Sequence, residues 1–147
     1  MDSNKEFIES LGYRFIEVPQ FCDERGVLCF AENKHLPFIP KRVFWIYGVG
    51  MDKTRGGHAH NTCAEIIFPV KGSFDIFVDD NDNSETFTMN NPNKGIFIAP
   101  SVWCNLSNFS PDAVCLVLAS HEYNAEGYIN NYKEFKQMHN GTEKILN

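Results

Sequence analysis

The chain breaks into eight short extended runs, each closed by turn residues. They are YRFIEV (13–18), GVLCFAE (26–32), RVFWIYGV (42–49), AEIIFPV (64–70), SFDIFVDD (73–80), ETFTM (85–89), GIFIAP (95–100) and AVCLVLAS (113–120). Runs of this length, punctuated by clusters such as DDNDNS and NNPNKG, predict an antiparallel sandwich or barrel. Within 73–80, Phe74, Ile76 and Val78 alternate with Asp75, Phe77 and Asp79, the period of a strand with one face turned inward. The clearest helical signal covers roughly 125–139, AEGYINNYKEFKQMH, where Tyr128, Tyr132 and Phe135 recur on one helical face.

Composition sets the outer bounds. A chain of 147 residues, 43% hydrophobic and 22% charged, is expected to form one domain over 1–147 with a single sizeable core. The aromatic share of 14%, including 13 Phe, suits a well-filled β-rich interior. A formal charge of −6 argues against nucleic acid as a partner, because phosphate backbones demand clustered Lys and Arg. It leaves room for one small anionic ligand held by a few local arginines. No run approaches 18 apolar residues and the first residues lack an apolar leader, so no membrane partner is expected. The cysteines (22, 29, 63, 104 and 115) are odd in number and lack close metal-type pairs. The expectation is reduced thiols in the cytoplasm, most of them packed as small hydrophobes, with a second role open for Cys104.

The stretch RGGHAHNTCAE (55–65) carries the chemistry. In an extended strand His58 and His60 project to the same face, with Ala59 opposite. Paired histidines can be hydrogen-bonded filler, but Arg55-Gly56-Gly57 just before them adds a cation and a flexible turn. An all-β chain with this pair entering a mid-chain strand suggests a jelly-roll or cupin barrel with an open mouth. The pattern His-x-His-x4-Glu-x6-Gly, from His58 to Gly72, resembles the first cupin motif. Gly95 and Pro100 resemble the second, with Cys104 where that motif has a histidine. His58, His60, Glu65 and Cys104 thus form a chemically reasonable ligand set for zinc or iron. Strict alternation turns Glu65 away from His60, so a bulge or bend is needed to bring them together.

Several segments in order resemble a narrower family, the WxcM-like cupins that are 3,4-ketoisomerases of dTDP-4-keto-6-deoxyglucose. They are DERGVLCFAE (23–32), LPFIPKRVFWIYGV (36–49), RGGHAH (55–60), VKGSFDIFVDD (70–80), NPNKGIFIAPSVW (91–103), FSPDAVCLVLAS (109–120) and YNAEGYINNYKEF (123–135). The resemblance implies an all-β cupin barrel with a short C-terminal helix, a homodimer that exchanges N-terminal strands, and no metal or other cofactor. It implies a ketone moved from C4 to C3 of a dTDP-linked 4-keto-6-deoxyhexose, in deoxysugar biosynthesis for surface polysaccharide. Histidine, titrating near neutrality, suits the proton transfers such a shift requires. His58 and His60 are therefore the expected catalytic pair, with the assignment of roles between them open. Arg25, Arg42 and Arg55 are candidates for the diphosphate, since a guanidinium fork matches phosphate oxygens. Trp45 and Tyr47 are expected in core or dimer packing, with stacking on the base as the alternative.

Several pocket positions depart from that family. Phe44 stands where a tyrosine is usual, Glu24 where Arg or Tyr is common, and Cys104 where His or Arg follows the Trp. Asn61 and Glu65 replace a Lys and a Gln. Glu24, Phe44, Glu65 and Cys104 are thus expected to line the substrate site alongside the arginines. Three readings follow. The leading one is the ketoisomerase. The second is a metal-dependent cupin enzyme using His58, His60, Glu65 and Cys104 on a different nucleotide sugar. The third is a non-catalytic sugar-nucleotide-binding cupin, favoured by the hydroxyl missing at Phe44.

Overall fold

The alternation of apolar and polar side chains becomes twelve antiparallel strands in the computed structural model, which describes residues 12–138. They are β1 (Tyr13–Glu17), β2 (Gln20–Asp23), β3 (Gly26–Cys29), β4 (Arg42–Tyr47), β5 (Arg55–His60) and β6 (Glu65–Lys71). Then follow β7 (Phe74–Asp79), β8 (Ser84–Met89), β9 (Lys94–Ile98), β10 (Trp103–Ser107), β11 (Val114–Ala119) and β12 (Tyr128–Ile129). All eight predicted runs carry strands. Strand β5 holds the histidine pair, while β2, β10 and β12 were not anticipated as separate runs. A short helix, α1, covers 132–138. Among the described residues no helix is long and apolar enough to cross a membrane.

The pairings are nested. Strand β4 pairs with β11, β5 with β10, β6 with β9, and β7 with β8. A long antiparallel ribbon is thus folded about the β7–β8 turn, and successive ribbon segments fall alternately in two five-stranded sheets. This is the jelly roll, with order β1-β9-β6-β11-β4 in one sheet and β12-β5-β10-β7-β8 in the other. The ribbon's tip is made by turn chemistry: Asp79 Oδ1 accepts from the Asn81 amide at 2.7 Å, and Asp80 Oδ1 accepts from the Asn83 amide at 2.7 Å.

The inner faces supply the core. Phe74, Ile76 and Val78 from β7 are fully buried, as alternation predicts, and meet Ile66, Ile96, Phe97 and Val117 from the facing sheet. The helical expectation over 125–139 is corrected. Residues Ala125–Gly127 form a single tight turn in which Asn124 Oδ1 accepts from the Glu126 amide. Tyr128 and Ile129 then pair with the β5 edge, and α1 starts only after Asn131, whose side chain accepts from the Glu134 amide at 2.9 Å. The free edge of β5 offers backbone partners that outweigh helical periodicity in so short a segment. Position 139 lies outside the described residues.

Gly72, at the β6–β7 turn, shows how tightly the ribbon is folded. Its φ is +66°, and a Cβ there would lie 2.3 Å from Ser110 Oγ and 2.8 Å from Ala113 Cα. Gly72→Ala is expected to lower unfolding free energy by about 1–3 kcal/mol in urea titrations. Gly127→Ala, where the nearest atom to a Cβ is Asn124 Cβ at 3.9 Å, should change it by less than about 0.5 kcal/mol.

Candidate functional site

Between β5 and β6 the chain leaves one sheet and joins the other. Glu65 therefore does not continue the alternation of β5. It opens the facing strand and turns back toward His60, with Oε1 3.3 Å from His60 Nε2. The crossing is fastened through its backbone. The Ala64 amide donates to Ser120 Oγ at 2.8 Å, the Ser120 amide donates to the Ala64 carbonyl at 2.9 Å, and the Asn61 amide donates to the Gly127 carbonyl at 2.9 Å. The expected bend thus exists as a change of sheet.

His58 and His60 share a face as expected, with ring centroids 4.9 Å apart and edge-to-face. Glycines 56 and 57 lie within β5, with φ of +82° and +74°, where the pairing with β10 shifts register between Cys104 and Asn105. They build a bulge that aims the histidines inward, in place of the flexible turn expected from sequence. A Cβ at Gly56 would stand 3.2 Å from the Cys104 carbonyl oxygen.

Two adjoining cavities open here, sharing Arg42, Tyr123 and Tyr128 as their common wall. One, about 490 Å³, is lined by His60 together with Lys41, Thr62 and His121. The other, about 340 Å³, is lined by His58, Glu65, Phe44 and Arg55. Burial lowers the His58 pKa first, and the neighbouring His60 and Arg42 lower it further against the opposing pull of Glu65. His58 is thus held below the ordinary imidazole value and is neutral at pH 7.

Glu65, 4% exposed, sits between His60 and the Arg42 guanidinium, whose Nη2 is 3.9 Å from Oε2. A buried carboxylate requires such partners. The contacts are ion-pair distances without hydrogen-bond alignment, so Arg42 Nε and His60 Nε2 remain buried without a hydrogen-bond partner among the described residues. Phe44 has a definite place: Arg42 Cζ lies 5.0 Å from its ring centroid and 5.6 Å from that of Tyr123.

The ligand atoms of His58, His60 and Glu65 lie within 4.8 Å of one another, a spacing a divalent ion can bridge. Cys104 does not join them, which corrects the four-residue ligand set of the alternative, metal-dependent reading. Its thiol is packed in the core, and burial, reinforced by Glu65 and Cys115, pushes its pKa far up. It is a neutral thiol beneath the site.

The remaining candidates separate. Arg42 and Arg55 line the cavities, whereas Glu24 and Arg25 lie on the exposed β2–β3 turn, where Arg25 Nη2 donates to Asp23 Oδ2 at 2.6 Å. Trp45 and Tyr47, expected in core or dimer packing, are outside this chain's core, 59% and 70% exposed on the outer face of β4. Sequence reasoning missed Lys41, Tyr123 and Tyr128 as cavity walls. Tyr128 was absorbed into the helical periodicity, although its position beside the paired His60 is set by the β12–β5 ladder.

The likeness to known proteins covers most of the chain. The profile of the family described as FdtA: WxcM-like, C-terminal matches residues 11–140. The TDP-4-oxo-6-deoxy-alpha-D-glucose-3,4-oxoisomerase of Aneurinibacillus thermoaerophilus is 34% identical over 125 residues, 84% of this chain and 90% of that protein. A 3,4-ketoisomerase from Helicobacter canadensis superposes with a TM-score of 0.83 at 39% identity, covering 87% of this chain and 97% of the other. The 3,4-ketoisomerase QdtA of Thermoanaerobacterium thermosaccharolyticum, as a mutant in complex with TDP-4-keto-6-deoxyglucose, gives 0.83 at 32% identity, covering 86% and 93%. The chain belongs to the FdtA, WxcM-like family.

Proposed function

We infer that this chain is a sugar 3,4-ketoisomerase acting on a TDP-linked 4-keto-6-deoxyhexose. The observation that carries the reading is a pair of inward-facing imidazoles at a cavity, one held neutral, with guanidinium groups in the walls. The substrate class follows from the Aneurinibacillus relative, named for TDP-4-oxo-6-deoxyglucose, and the Thermoanaerobacterium enzyme in complex with the same sugar nucleotide.

The reaction is internally balanced. C3 passes from alcohol to ketone while C4 passes from ketone to alcohol, so no external oxidant or reductant is consumed. The C3 proton is acidified by the adjacent carbonyl, and an unprotonated base takes it. His58 is that base, because it faces the cavity and burial disfavours its protonated form. The resulting enediolate gains a proton at O4 and gives up the one on O3. His60, beside Glu65, serves these oxygens. The proton held by His58 is returned at C4. Arg42 and Arg55 take the diphosphate, the bidentate anion for which guanidinium geometry is suited.

The assembly we propose is a homodimer with exchanged N-terminal strands. Hairpin β2–β3 forms a separate two-stranded sheet and exposes Phe21, Val27 and Leu28, while β4 exposes Val43, Trp45 and Tyr47 on a sheet edge. A second copy covers these apolar residues and carries Arg25 and Glu24 toward its partner's substrate. The five cysteines are unpaired, which suits a reducing cytoplasmic setting.

With TDP-4-keto-6-deoxyglucose in deuterated water, NMR should show solvent deuterium entering the sugar and the 3-keto isomer accumulating. His58→Asn should lower kcat by about 10²–10⁴-fold. Wild-type protein that yields no exchange and no 3-keto product sinks the assignment. Sedimentation should give twice the chain mass, and a monomer at micromolar concentration contradicts the exchanged dimer.

The pH dependence has a definite sign. Because the folded pKa of His58 lies below its unfolded value of about 6.5, the acid limb of kcat/KM should fall below pH 6.5. The same shift contributes stability that is full above about pH 6.5 and is lost as pH falls through the folded value. Titration of the His58 ring protons by NMR checks both.

A further inference from the structure

Residues 128–138 grip the β5 sheet on both of its faces. Tyr128 lies opposite His60 in the ladder and turns to the inner face, its ring centroid 4.5 Å from His60 and 4.9 Å from His58. Ile129, opposite Ala59, turns to the outer face. There α1 seats Phe135, 2% exposed, against Ala59 and Trp103, with the Trp103 and Phe135 ring centroids 5.7 Å apart. The far end is tied to Asp79, a residue 1% exposed at the end of β7. Tyr132 Oη donates to Asp79 Oδ2, Lys136 Nζ donates to the same oxygen at 3.2 Å, and Asn81 Nδ2 donates to the Phe135 carbonyl at 3.2 Å.

This arrangement joins a remote buried carboxylate to the histidine pair through one continuous segment. An imidazole is fixed by what packs on its ring as well as by what its nitrogens bind, and here one phenol ring touches both imidazoles. We propose that 128–138 is a strap whose fastening on Asp79 and Trp103 presses the Tyr128 ring against His58 and His60, holding both in one orientation and shielding them from water. Tyr128 is a positioning residue and Asp79 its remote anchor. The ring is the working part, since the contacts are ring to ring. The kinetic consequences rest on the ketoisomerase reading; the titration consequences do not.

The test uses the full-length protein and four variants, Tyr128→Phe, Tyr128→Ala, Tyr128→Leu and Asp79→Asn, each checked for folding by thermal melting. Histidine ring protons are titrated by NMR without substrate, and kcat and KM are measured separately with TDP-4-keto-6-deoxyglucose. Tyr128→Ala should raise the His58 pKa toward its ordinary value and lower kcat about 10–100-fold, the scale of a small misplacement of a reacting group. KM should stay within about threefold. Tyr128→Phe should rescue most of that loss, and Tyr128→Leu, which fills space without a ring, should not. Asp79→Asn should move titration and kcat in the same direction by a smaller factor. The proposal is overturned if Tyr128→Ala and Tyr128→Leu titrate and turn over like wild type, or if Tyr128→Phe is as damaged as Tyr128→Ala. It is also overturned if Asp79→Asn lowers the melting temperature without moving the His58 titration. Should wild type lack isomerase activity while the titration shifts appear as stated, the functional reading fails and the strap stands.

Discussion

The change of sheet between His60 and Glu65 is the constraint on which the site depends. Four residues carry the chain across the mouth of the barrel, and two hydrogen bonds between Ala64 and Ser120 pin them to the end of β11. Without that crossing, the alternation of a continuous strand would turn Glu65 away from the histidines. With it, a carboxylate from one sheet faces imidazoles from the other across the barrel interior. Nested pairing makes the crossing obligatory, because neighbouring segments of the folded ribbon must fall in opposite sheets.

The two carboxylates buried among the described residues, Asp79 and Glu65, show how a fold separates anchoring from chemistry. Burial pushes Asp79 toward its neutral form, but bonds from Tyr132, the Asn81 amide and Lys136 reverse that and hold its pKa below the usual carboxylate range. Its charge is satisfied, so it serves as a fixed point. Glu65 has the Arg42 guanidinium and the His60 imidazole close by, yet Arg42 Nε and His60 Nε2 beside it have no hydrogen-bond partner among the described residues. Buried nitrogens left in that condition cost stability, typically about 1–3 kcal/mol each. On the proposed function, a substrate rich in oxygens entering the adjoining cavities would offer those partners. Asp79 is complete in itself, whereas Glu65 sits among buried nitrogens that keep hydrogen-bonding capacity to offer.

Much of this was legible in the sequence because strand periodicity is local. Eight runs, the inward phase of Phe74, Ile76 and Val78, and the shared face of His58 and His60 all follow from a two-residue repeat. The convergence of His58, His60, Arg42, Arg55, Phe44 and Glu65 was approachable through motif spacing and resemblance. What escaped depends on contacts distant in sequence. Tyr128 repeats with Tyr132 and Phe135 at helical spacing, and nothing local announces that the β5 edge will claim it. The glycines at 56 and 57 suggested a loop, because a bulge is defined by its partner strand, here β10. Glu24 and Arg25 could not be placed from local pattern, since among the described residues the hairpin bearing them pairs with itself.

The substitutions that set this chain apart point one way. Phe44 contributes a ring under Arg42 and no hydroxyl, while Cys104, opposite His58 in the β5–β10 ladder, contributes a thiol that burial keeps protonated. Neither group exchanges a proton or carries charge near pH 7. The interior beside His58 is therefore less polar than the motif alone suggests, which favours a neutral imidazole there. A neutral imidazole is the competent form for taking a carbon-bound proton. On the proposed function, Phe44 and Cys104 leave proton transfer to the histidine pair, and the residues packed against its rings align that pair.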